Sequence, residues 1–269
     1  MTFSLGPALL FCPADRPERY AKAADRADAV ILDLEDAVAP AGKAAARRHL
    51  VDNPLDPANT IVRINALGSA DSDLDLAALA RTPYRTVMVA KTESAAALAA
   101  LDGYDVVALC ETAAGILAAP SIAATPNVVA LMWGAEDLVA SLGGSSSRHE
   151  DGSYRAVAMH ARSAVLLAAG ASGKTAIDSV YINIADLAGL AAEVRDAVAC
   201  GFGATACIHP SQASTIRSEY APTGQQIAEA RELLAAAQAS GAGVFAFGGR
   251  MIDGPILRHA EQTLRRADG

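Results

Sequence analysis

Two acidic residues close apolar stretches of the chain and are candidates for metal chemistry. Glu111 follows one apolar stretch, and Asp137 follows the next one along the chain. If these stretches are neighbouring strands, the two carboxylates can share a hard cation such as Mg2+, which leaves its other positions to water and substrate oxygens. We predict that Glu111 and Asp137 are Mg2+ ligands, whereas Glu136 points elsewhere if the strand is still extended there. The alternative is that these acids cap the helices that follow.

Arg63 lies inside the apolar stretch at residues 61–65, where a core arginine is rare. A planar guanidinium facing a pocket suits bidentate binding of a substrate carboxylate. Asp33, at the end of the preceding apolar stretch, is costly to bury without a partner. A purely structural ion pair of Arg63 with Asp33 or Asp36 is therefore the alternative.

His209 ends the last apolar stretch, within the sequence Ile208-His209-Pro210. A histidine there can serve as a general base. A single histidine is more often a hydrogen-bonded structural residue, and that is our interpretation. The sequence contains no HxH or HExxH motif and no GxSxG motif, which argues against a zinc site and a serine hydrolase.

The elements that position these residues recur regularly along the chain. Eight apolar stretches rich in Val, Ile, Leu and Ala alternate with Ala-rich segments that are typical of helices. Alternating strands and helices imply parallel pairing, and eight such units in roughly 250 residues match an α/β fold of the (β/α)8 TIM-barrel type, whose active site lies at the carboxyl ends of the strands. The predicted strands are 8–14, 29–36, 61–65, 86–93, 106–111, 128–137, 174–181 and 204–210.

The chain continues well beyond the eighth predicted strand. We predict a TIM-barrel catalytic domain at 1–212 and a C-terminal extension at 213–269. The extension contains a predicted helix at 223–240, a Gly-rich segment at 241–249, a turn at 251–255 and a final amphipathic helix. We expect it to pack on the barrel or on a neighbouring subunit.

Composition excludes several classes of protein. The 269 residues are 52% hydrophobic, which is enough for one large core. A net charge of −8 without a Lys/Arg-rich block argues against a nucleic-acid partner. No apolar stretch reaches the roughly 18 residues that cross a bilayer. Residues 1–6 lack the pattern of a signal peptide, so we expect a cytoplasmic protein.

Four cations follow the first predicted strand at spacings of three and four residues. They lie on a predicted helix that starts at the rim of the barrel, with Asp15 as its N-cap. A solvated surface stripe and a binding site for an anion such as phosphate are both compatible with this pattern. The cations are Arg16, Arg19, Lys22 and Arg26.

Eight short motifs, taken in order, resemble those of the citrate lyase β-subunit-like family. This family belongs to the wider group of Mg2+-dependent malyl-CoA and citramalyl-CoA lyases and HpcH/HpaI aldolases. The resemblance spans nearly the whole chain, and the ordered set is specific although each motif alone is weak. The motifs are FCPADR at 11–16, DLEDAV at 33–38, RIN at 63–65, KTES at 91–94, ETAAG at 111–115, GAEDL at 134–138, IHPSQ at 208–212 and MIDGP at 251–255.

The resemblance implies roles for individual residues. It implies that Glu111 and Asp137 bind Mg2+ and that Arg63 holds the carboxylate of the oxo-acid half of the substrate. Asp253, in the MIDGP motif, is implied to be the catalytic acid/base, delivered by the tail of a neighbouring subunit in a trimer or hexamer. The substrate-binding residues are then Arg63 and Glu111, together with Phe11, Arg16, Lys22 and Asp36. Phe11 and the segment 16–22 resemble the part that meets coenzyme A.

The implied reaction is the Mg2+-dependent cleavage of a carboxylate-bearing 3-hydroxyacyl-CoA into acetyl-CoA and an oxo-acid, or its formation from them. Citramalyl-, malyl-, citryl- and 3-hydroxy-3-methylglutaryl-CoA are the candidate substrates. The alternatives are the β subunit of an acyl-carrier-protein-dependent citrate lyase, a non-catalytic barrel that binds oxo-acid or CoA, and an aldolase for free aldehydes. One departure is Thr205, since the family usually carries a lysine shortly before the IHP sequence.

Overall fold

The computed structural model describes residues 3–241 and 243–268. Met1, Thr2, Ala242 and Gly269 lie outside the described residues, so the predicted segments at 1–6 and 241–249 are described only in part. The eight predicted strands are present and form a closed parallel barrel in chain order, with the first strand paired to the last. They are β1 Ala8–Pro13, β2 Ala29–Asp33, β3 Thr60–Ile64, β4 Thr86–Val89, β5 Asp105–Cys110, β6 Val128–Trp133, β7 Thr175–Asp178 and β8 Ala204–Cys207.

All eight predicted strands extend too far at their carboxyl ends, by one to four residues. The second strand ends at Asp33 rather than at Asp36, and the sixth ends at Trp133 rather than at Asp137. The polar residues after each strand belong to rim loops or to the first turn of a helix. Glu136 and Asp137 therefore diverge because they are consecutive residues of a helix, and not because side chains alternate along a strand.

Nine helices within the described residues accompany the barrel strands. Ser69, Ser94, Thr112 and Asp186 each accept a hydrogen bond from a first-turn N–H of the helix that follows them. None of the described helices is long and apolar enough to cross a membrane. The helices are α1 Tyr20–Ala24, α2 Lys43–Asp52, α3 Ala70–Leu79, α4 Ala95–Ala99, α5 Ala113–Ala123, α6 Ala135–Ser141, α7 Ala156–Ala171, α8 Leu187–Cys200 and α9 Pro210–Tyr220.

The helix after β1 differs from its prediction. Pro17–Arg19 forms a short 3-10 turn, and its N-cap residue is Arg16, which makes no side-chain capping bond. The prediction of Asp15 as the N-cap was therefore wrong. Helix α1 ends at Ala24, so Arg26 lies beyond it and the four cations do not share one continuous helical face.

The barrel interior is filled by aliphatic side chains, as the low aromatic content of 4% requires. Residues from every strand meet there, with Phe11 and Val180 packed partly buried against them. Leu109 and Met132 of this core also line the cavity described below. The buried members include Leu9, Ile31, Ile61, Met88, Val107, Leu109, Met132, Ile177 and Ala204.

The chain divides into two compact units, residues 1–216 and 217–269. This division falls within α9, so the predicted boundary after residue 212 lies inside a helix. The second unit consists of α10 Gly224–Ser240, a hairpin of β9 Phe245–Phe247 and β10 Arg250–Ile252, and α11 Gly254–Asp268. The predicted turn at 251–255 was therefore partly wrong, because Met251 and Ile252 belong to β10.

Candidate active site

The carboxyl ends of the strands surround a cavity of about 200 Å3. Five of the predicted site residues line it, and they come from segments that follow or end different strands. The cavity thus combines a guanidinium with several carboxylates above an aliphatic floor. Its lining consists of Phe11, Asp33, Asp36, Ala37, Arg63, Leu109, Glu111, Met132, Gly134, Ala135, Glu136, Asp137, Ser179, Val180 and Ile208.

Glu111 directly follows β5 and is only 2% exposed. Its Oε1 accepts a hydrogen bond from the backbone N–H of Lys91 at 3.0 Å. The carboxylate lies against Gly134, where a Cβ atom would come within 2.7 Å of Oε2, so a residue without a side chain is required there. Burial, followed by repulsion from Asp137, raises the pKa of Glu111 to about 8.

Asp137 lies in the first turn of α6, with its side chain 37% exposed. Its Oδ1 is 3.6 Å from the ammonium of Lys91. Glu136 also lines the cavity, but its Oε1 accepts a hydrogen bond from Ser147 Oγ at 2.6 Å, in the loop after α6. The two neighbouring acids therefore have different partners.

The pair Glu111 and Asp137 suits a divalent cation that needs few protein ligands. Burial and then the charge of Asp137 raise the pKa of Glu111, and a cation bound by both carboxylates would offset both effects. Among the described residues, no group of three or more His, Cys, Asp or Glu side chains is arranged to hold a metal. The donor set therefore fits Mg2+, which commonly binds one or two carboxylates and retains waters and substrate oxygens.

Arg63 is buried, and its guanidinium is paired with two acidic side chains, Asp33 and Glu35. Its Nε donates to Asp33 Oδ1 at 2.7 Å, its Nη2 donates to Asp33 Oδ2, and its Nη1 is 3.1 Å from Glu35 Oε2. The guanidinium lies over the ring of Phe11 at 4.8 Å from the ring centre. The ion pair with Asp33 weighed in the sequence analysis is thus present. Since Arg63 also lines the cavity, its binding of a substrate carboxylate stays a prediction.

Lys91 belongs to the KTES motif, but no role in the site was predicted for it from the sequence. Its ammonium contacts Glu35, Asp36 at 2.9 Å and Asp137 at 3.6 Å. Although burial opposes the effect, hydrogen bonding to Lys91 holds the pKa of Asp36 below its usual value. The available signal was a lysine near the end of the fourth predicted strand, in a barrel whose rim is rich in acids.

A second missed group fixes the end of β7 beside the cavity. Asp178 accepts a hydrogen bond from Trp133 Nε1 at 2.6 Å, and its Oδ2 accepts one from Arg162 Nη2 at 2.8 Å. The next residue, Ser179, lines the cavity and accepts a hydrogen bond from the N–H of Ala135 at 3.4 Å. This buried pairing positions the wall of the site against the start of α6.

Three predicted site residues do not line the cavity. The side chain of Arg16 is 56% exposed and its nearest acid is Asp15, at 3.8 Å, while Lys22 lies exposed on α1. Asp253 belongs to the second unit, where its carbonyl accepts the hydrogen bond from Leu257 N–H that begins α11. The roles of Arg16, Lys22 and Asp253 stay predictions.

His209 and Thr205 have structural surroundings. His209 Nδ1 is 2.7 Å from Ser211 Oγ and accepts a hydrogen bond from Ser211 N–H at the start of α9, a contact of the kind that the structural interpretation predicts. Thr205 is buried in β8, where it pairs with β1 and β7. Neither side chain lines the cavity.

Comparison with known proteins identifies the family. Residues 8–210 match the model of the HpcH/HpaI aldolase/citrate lyase family, a range that covers the barrel strands and includes the cavity lining. The chain belongs to this family. Its description is one of aldolases and lyases, enzymes that make or break carbon–carbon bonds, and it confirms the resemblance seen in the motifs.

Individual relatives match over almost the whole chain. A citrate lyase subunit beta-like protein of Mycobacterium tuberculosis is 58% identical over 262 residues, covering 97% of this chain and 96% of the relative. Human mitochondrial citramalyl-CoA lyase is 31% identical over 293 residues, covering 97% and 85%. A crystal structure of the M. tuberculosis protein CitE in complex with magnesium, acetoacetate and coenzyme A matches with a TM-score of 0.95, 57% identity and 99% coverage of each chain.

Proposed function

We propose that this protein is a Mg2+-dependent lyase that cleaves a carboxylate-bearing 3-hydroxyacyl-CoA into acetyl-CoA and an oxo-acid, or forms it from these two compounds. The observation that carries the proposal is the single cavity holding the carboxylates of Glu111 and Asp137 with the guanidinium of Arg63. The crystallised relative that holds magnesium, acetoacetate and coenzyme A supports this choice of ligands.

The residues divide the work of cleavage between orientation and proton movement. Arg63, whose Nε and Nη2 donate to Asp33 and whose Nη1 lies 3.1 Å from Glu35, binds the substrate carboxylate through its remaining N–H groups and orients the bond to be broken. Glu111 and Asp137 would hold Mg2+, which would supply Lewis-acid stabilisation of the negative charge that develops on the substrate. As the C2–C3 bond breaks, its electrons pass to the thioester enolate and the 3-hydroxyl becomes the carbonyl of the oxo-acid. Asp253, as the acid/base, takes up the proton that this hydroxyl loses and returns a proton to C2, which completes the acetyl methyl group.

We propose further that the protein is a homo-oligomer, a trimer or a hexamer, in which a neighbouring subunit supplies Asp253. The support is the motif resemblance and the placement of Asp253 in a separate C-terminal unit. Phe11 lines the cavity and the segment 16–22 follows β1, which supports contact of this region with coenzyme A.

A panel of thioesters tests the reaction. Citramalyl-, malyl-, citryl- and 3-hydroxy-3-methylglutaryl-CoA are incubated with the protein and Mg2+, and the products are read by mass spectrometry. We expect acetyl-CoA and one oxo-acid from at least one substrate, and no cleavage in EDTA. Cleavage only of acyl-carrier-protein thioesters would instead favour a citrate lyase β subunit. Release of free CoA without C–C cleavage would show a thioesterase. Oxo-acid binding without turnover of any thioester would favour a binding protein.

Arg63→Ala and Arg63→Lys are expected to weaken binding of an oxo-acid such as pyruvate or oxaloacetate. A hydrogen bond to a charged group contributes about 1.5–3 kcal/mol, so the loss in Arg63→Ala is roughly 10- to 100-fold. Arg63→Lys keeps the charge but not the fork and should also lose affinity. Isothermal titration measures both variants in the presence of Mg2+.

Because Asp33 is left without its partner in Arg63→Ala, thermal unfolding and Mg2+ affinity serve as controls for the fold. Arg63→Lys, which retains a cation for Asp33, is the second control. Unchanged oxo-acid affinity in a folded Arg63→Ala protein would reject substrate binding and leave the ion pair with Asp33 as the role of this arginine.

A further inference from the structure

Lys91 has an unusual backbone conformation at the end of β4. Its φ is 48°, and it is the single non-glycine residue with positive φ among residues 3–241 and 243–268. This left-handed conformation is unfavourable for a residue with a side chain and is found where the surroundings enforce it. It accompanies a direct contact with the site, since the Lys91 N–H donates to Glu111 Oε1 at 3.0 Å.

The side chain of Lys91 reaches a different set of acids. Its ammonium binds Glu35 and Asp36 of the loop after β2, and it lies 3.6 Å from Oδ1 of Asp137 in α6. The side chain is 33% exposed, so these contacts are partly shielded from water. One residue thus contacts both carboxylates that we assign to the metal, one through its main chain and the other through its charge.

We propose that Lys91 is a positioning residue of the metal site, whose main chain orients Glu111 and whose ammonium is the resident counter-ion of Asp137. The inference rests on the Mg2+ site of the proposed function. A divalent cation that binds Asp137 meets the positive charge of Lys91 and must compete with it. Lys91 therefore lowers the Mg2+ affinity that the two carboxylates would otherwise have.

The other contacts of Lys91 make this effect measurable without disrupting the fold. If the ammonium is removed, Glu35 still has Arg63 Nη1 at 3.1 Å, and Asp36 is largely exposed. Asp36 then adds uncompensated negative charge near the metal carboxylates, while the charge of Glu35 is balanced by Arg63 alone. The loss of a site lysine should therefore tighten metal binding, which is the opposite of what a purely structural role would give.

The charge role is tested with Lys91→Met and isothermal titration of Mg2+ in the absence of substrate. We expect about three- to tenfold tighter binding than in the wild type, with the difference shrinking as salt is raised. Lys91→Arg keeps the positive charge, so we expect it to bind Mg2+ with an affinity near that of the wild type. Lys174→Met removes a lysine just before β7, at the opposite end of the barrel, and controls for net charge.

The outcomes separate this inference from the proposed function. If the wild type and Glu111→Gln bind Mg2+ equally, or the wild type does not bind it, the proposed metal site itself fails. If wild-type binding depends on Glu111 but a folded Lys91→Met protein binds Mg2+ with unchanged or lower affinity, the counter-ion role is wrong while the metal site stands.

The main-chain role has its own pair of variants. Lys91→Gly and Lys91→Val both lack the ammonium, but only glycine adopts positive φ without strain, whereas a β-branched residue resists it. We expect Lys91→Gly to bind Mg2+ as tightly as Lys91→Met, and Lys91→Val to bind it several-fold more weakly than both. Equal affinities in folded Gly and Val variants would show that the backbone of Lys91 does not orient Glu111.

Discussion

Replacing Glu111 with Gln is expected to weaken Mg2+ binding by at least about 100-fold, because loss of a partner outside the ligand shell already costs about 10- to 100-fold. The amide keeps the shape of the side chain beside Gly134 and can still accept the Lys91 N–H bond. The fold should therefore persist, as thermal unfolding will show. Asp137→Asn is expected to have a similar effect on isothermal titration of Mg2+.

Glu136→Gln is the matched control for these variants. Glu136 lines the same cavity and precedes Asp137, but its carboxylate accepts a hydrogen bond from Ser147. We expect its replacement to change Mg2+ affinity far less than Glu111→Gln. A crystal with Mg2+ and an oxo-acid in which neither Glu111 nor Asp137 contacts the ion would contradict the assignment.

The raised pKa of Glu111 adds a pH dependence to the same prediction. Burial and the charge of Asp137 bring this pKa from 4.5 to about 8 in the metal-free protein, so at lower pH the carboxyl must lose a proton when Mg2+ binds. Apparent affinity should rise by about tenfold per pH unit up to that pKa. Glu111→Gln should abolish this rise, which titrations from pH 6 to about 8.5 will measure.

Linkage gives the sign of the effect on stability. The folded pKa of Glu111 is higher than the ordinary value of 4.5, so the folded state holds a proton that the unfolded state releases. The stability that this proton contributes is therefore fully present below a pH of about 4.5. It is lost as the pH rises through about 8, the folded-state pKa of Glu111. Denaturant unfolding without metal, compared with Glu111→Gln, will show this decline.

The barrel was predictable because its signal is periodic and local. Each buried strand is a short apolar stretch, and each crossover returns the chain to the same edge of the sheet, so the order of the strands followed from the alternation alone. The ends of the strands were not predictable in the same way. Polar residues follow apolar ones with no change in pattern where a strand gives way to a helix, as at Glu136 and Asp137.

Site residues could be predicted where a charged side chain interrupts or ends an apolar stretch. They could not be predicted where their partners are distant in the sequence. Arg63 and Glu111 were found because a charge inside or directly after an apolar stretch needs a reason. No role was predicted for Lys91 because its partners, Glu35 and Asp36, are 56 and 55 positions away and its positive-φ backbone has no sequence signature. The start of α1 was mispredicted for a local reason instead, because the Pro-containing segment Pro17–Arg19 forms a 3-10 turn before the α-helix begins.

Asp253→Asn is expected to preserve Mg2+ and oxo-acid binding while removing cleavage and proton exchange at the acetyl methyl group. General acid–base catalysis contributes about 10²- to 10⁴-fold, and an amide cannot exchange the proton. Asp253 precedes α11 and follows β10 in the second unit, so the isosteric change leaves the main-chain bond to Leu257 in place. Turnover and deuterium exchange by mass spectrometry are the measurements.

Mixing Asp253→Asn with Glu111→Gln tests whether neighbouring subunits share a site. Each variant alone lacks one essential group, but a mixed oligomer can contain a site with Glu111 from one subunit and Asp253 from the next. Some activity should therefore return, once native mass spectrometry has shown that mixed oligomers form. If verified mixed oligomers of well-folded variants stay inactive, then Asp253 acts within its own subunit or serves only to begin α11. The shared site is implied by the resemblance of the MIDGP motif. It is also compatible with the position of Asp253 in a C-terminal unit separate from the barrel.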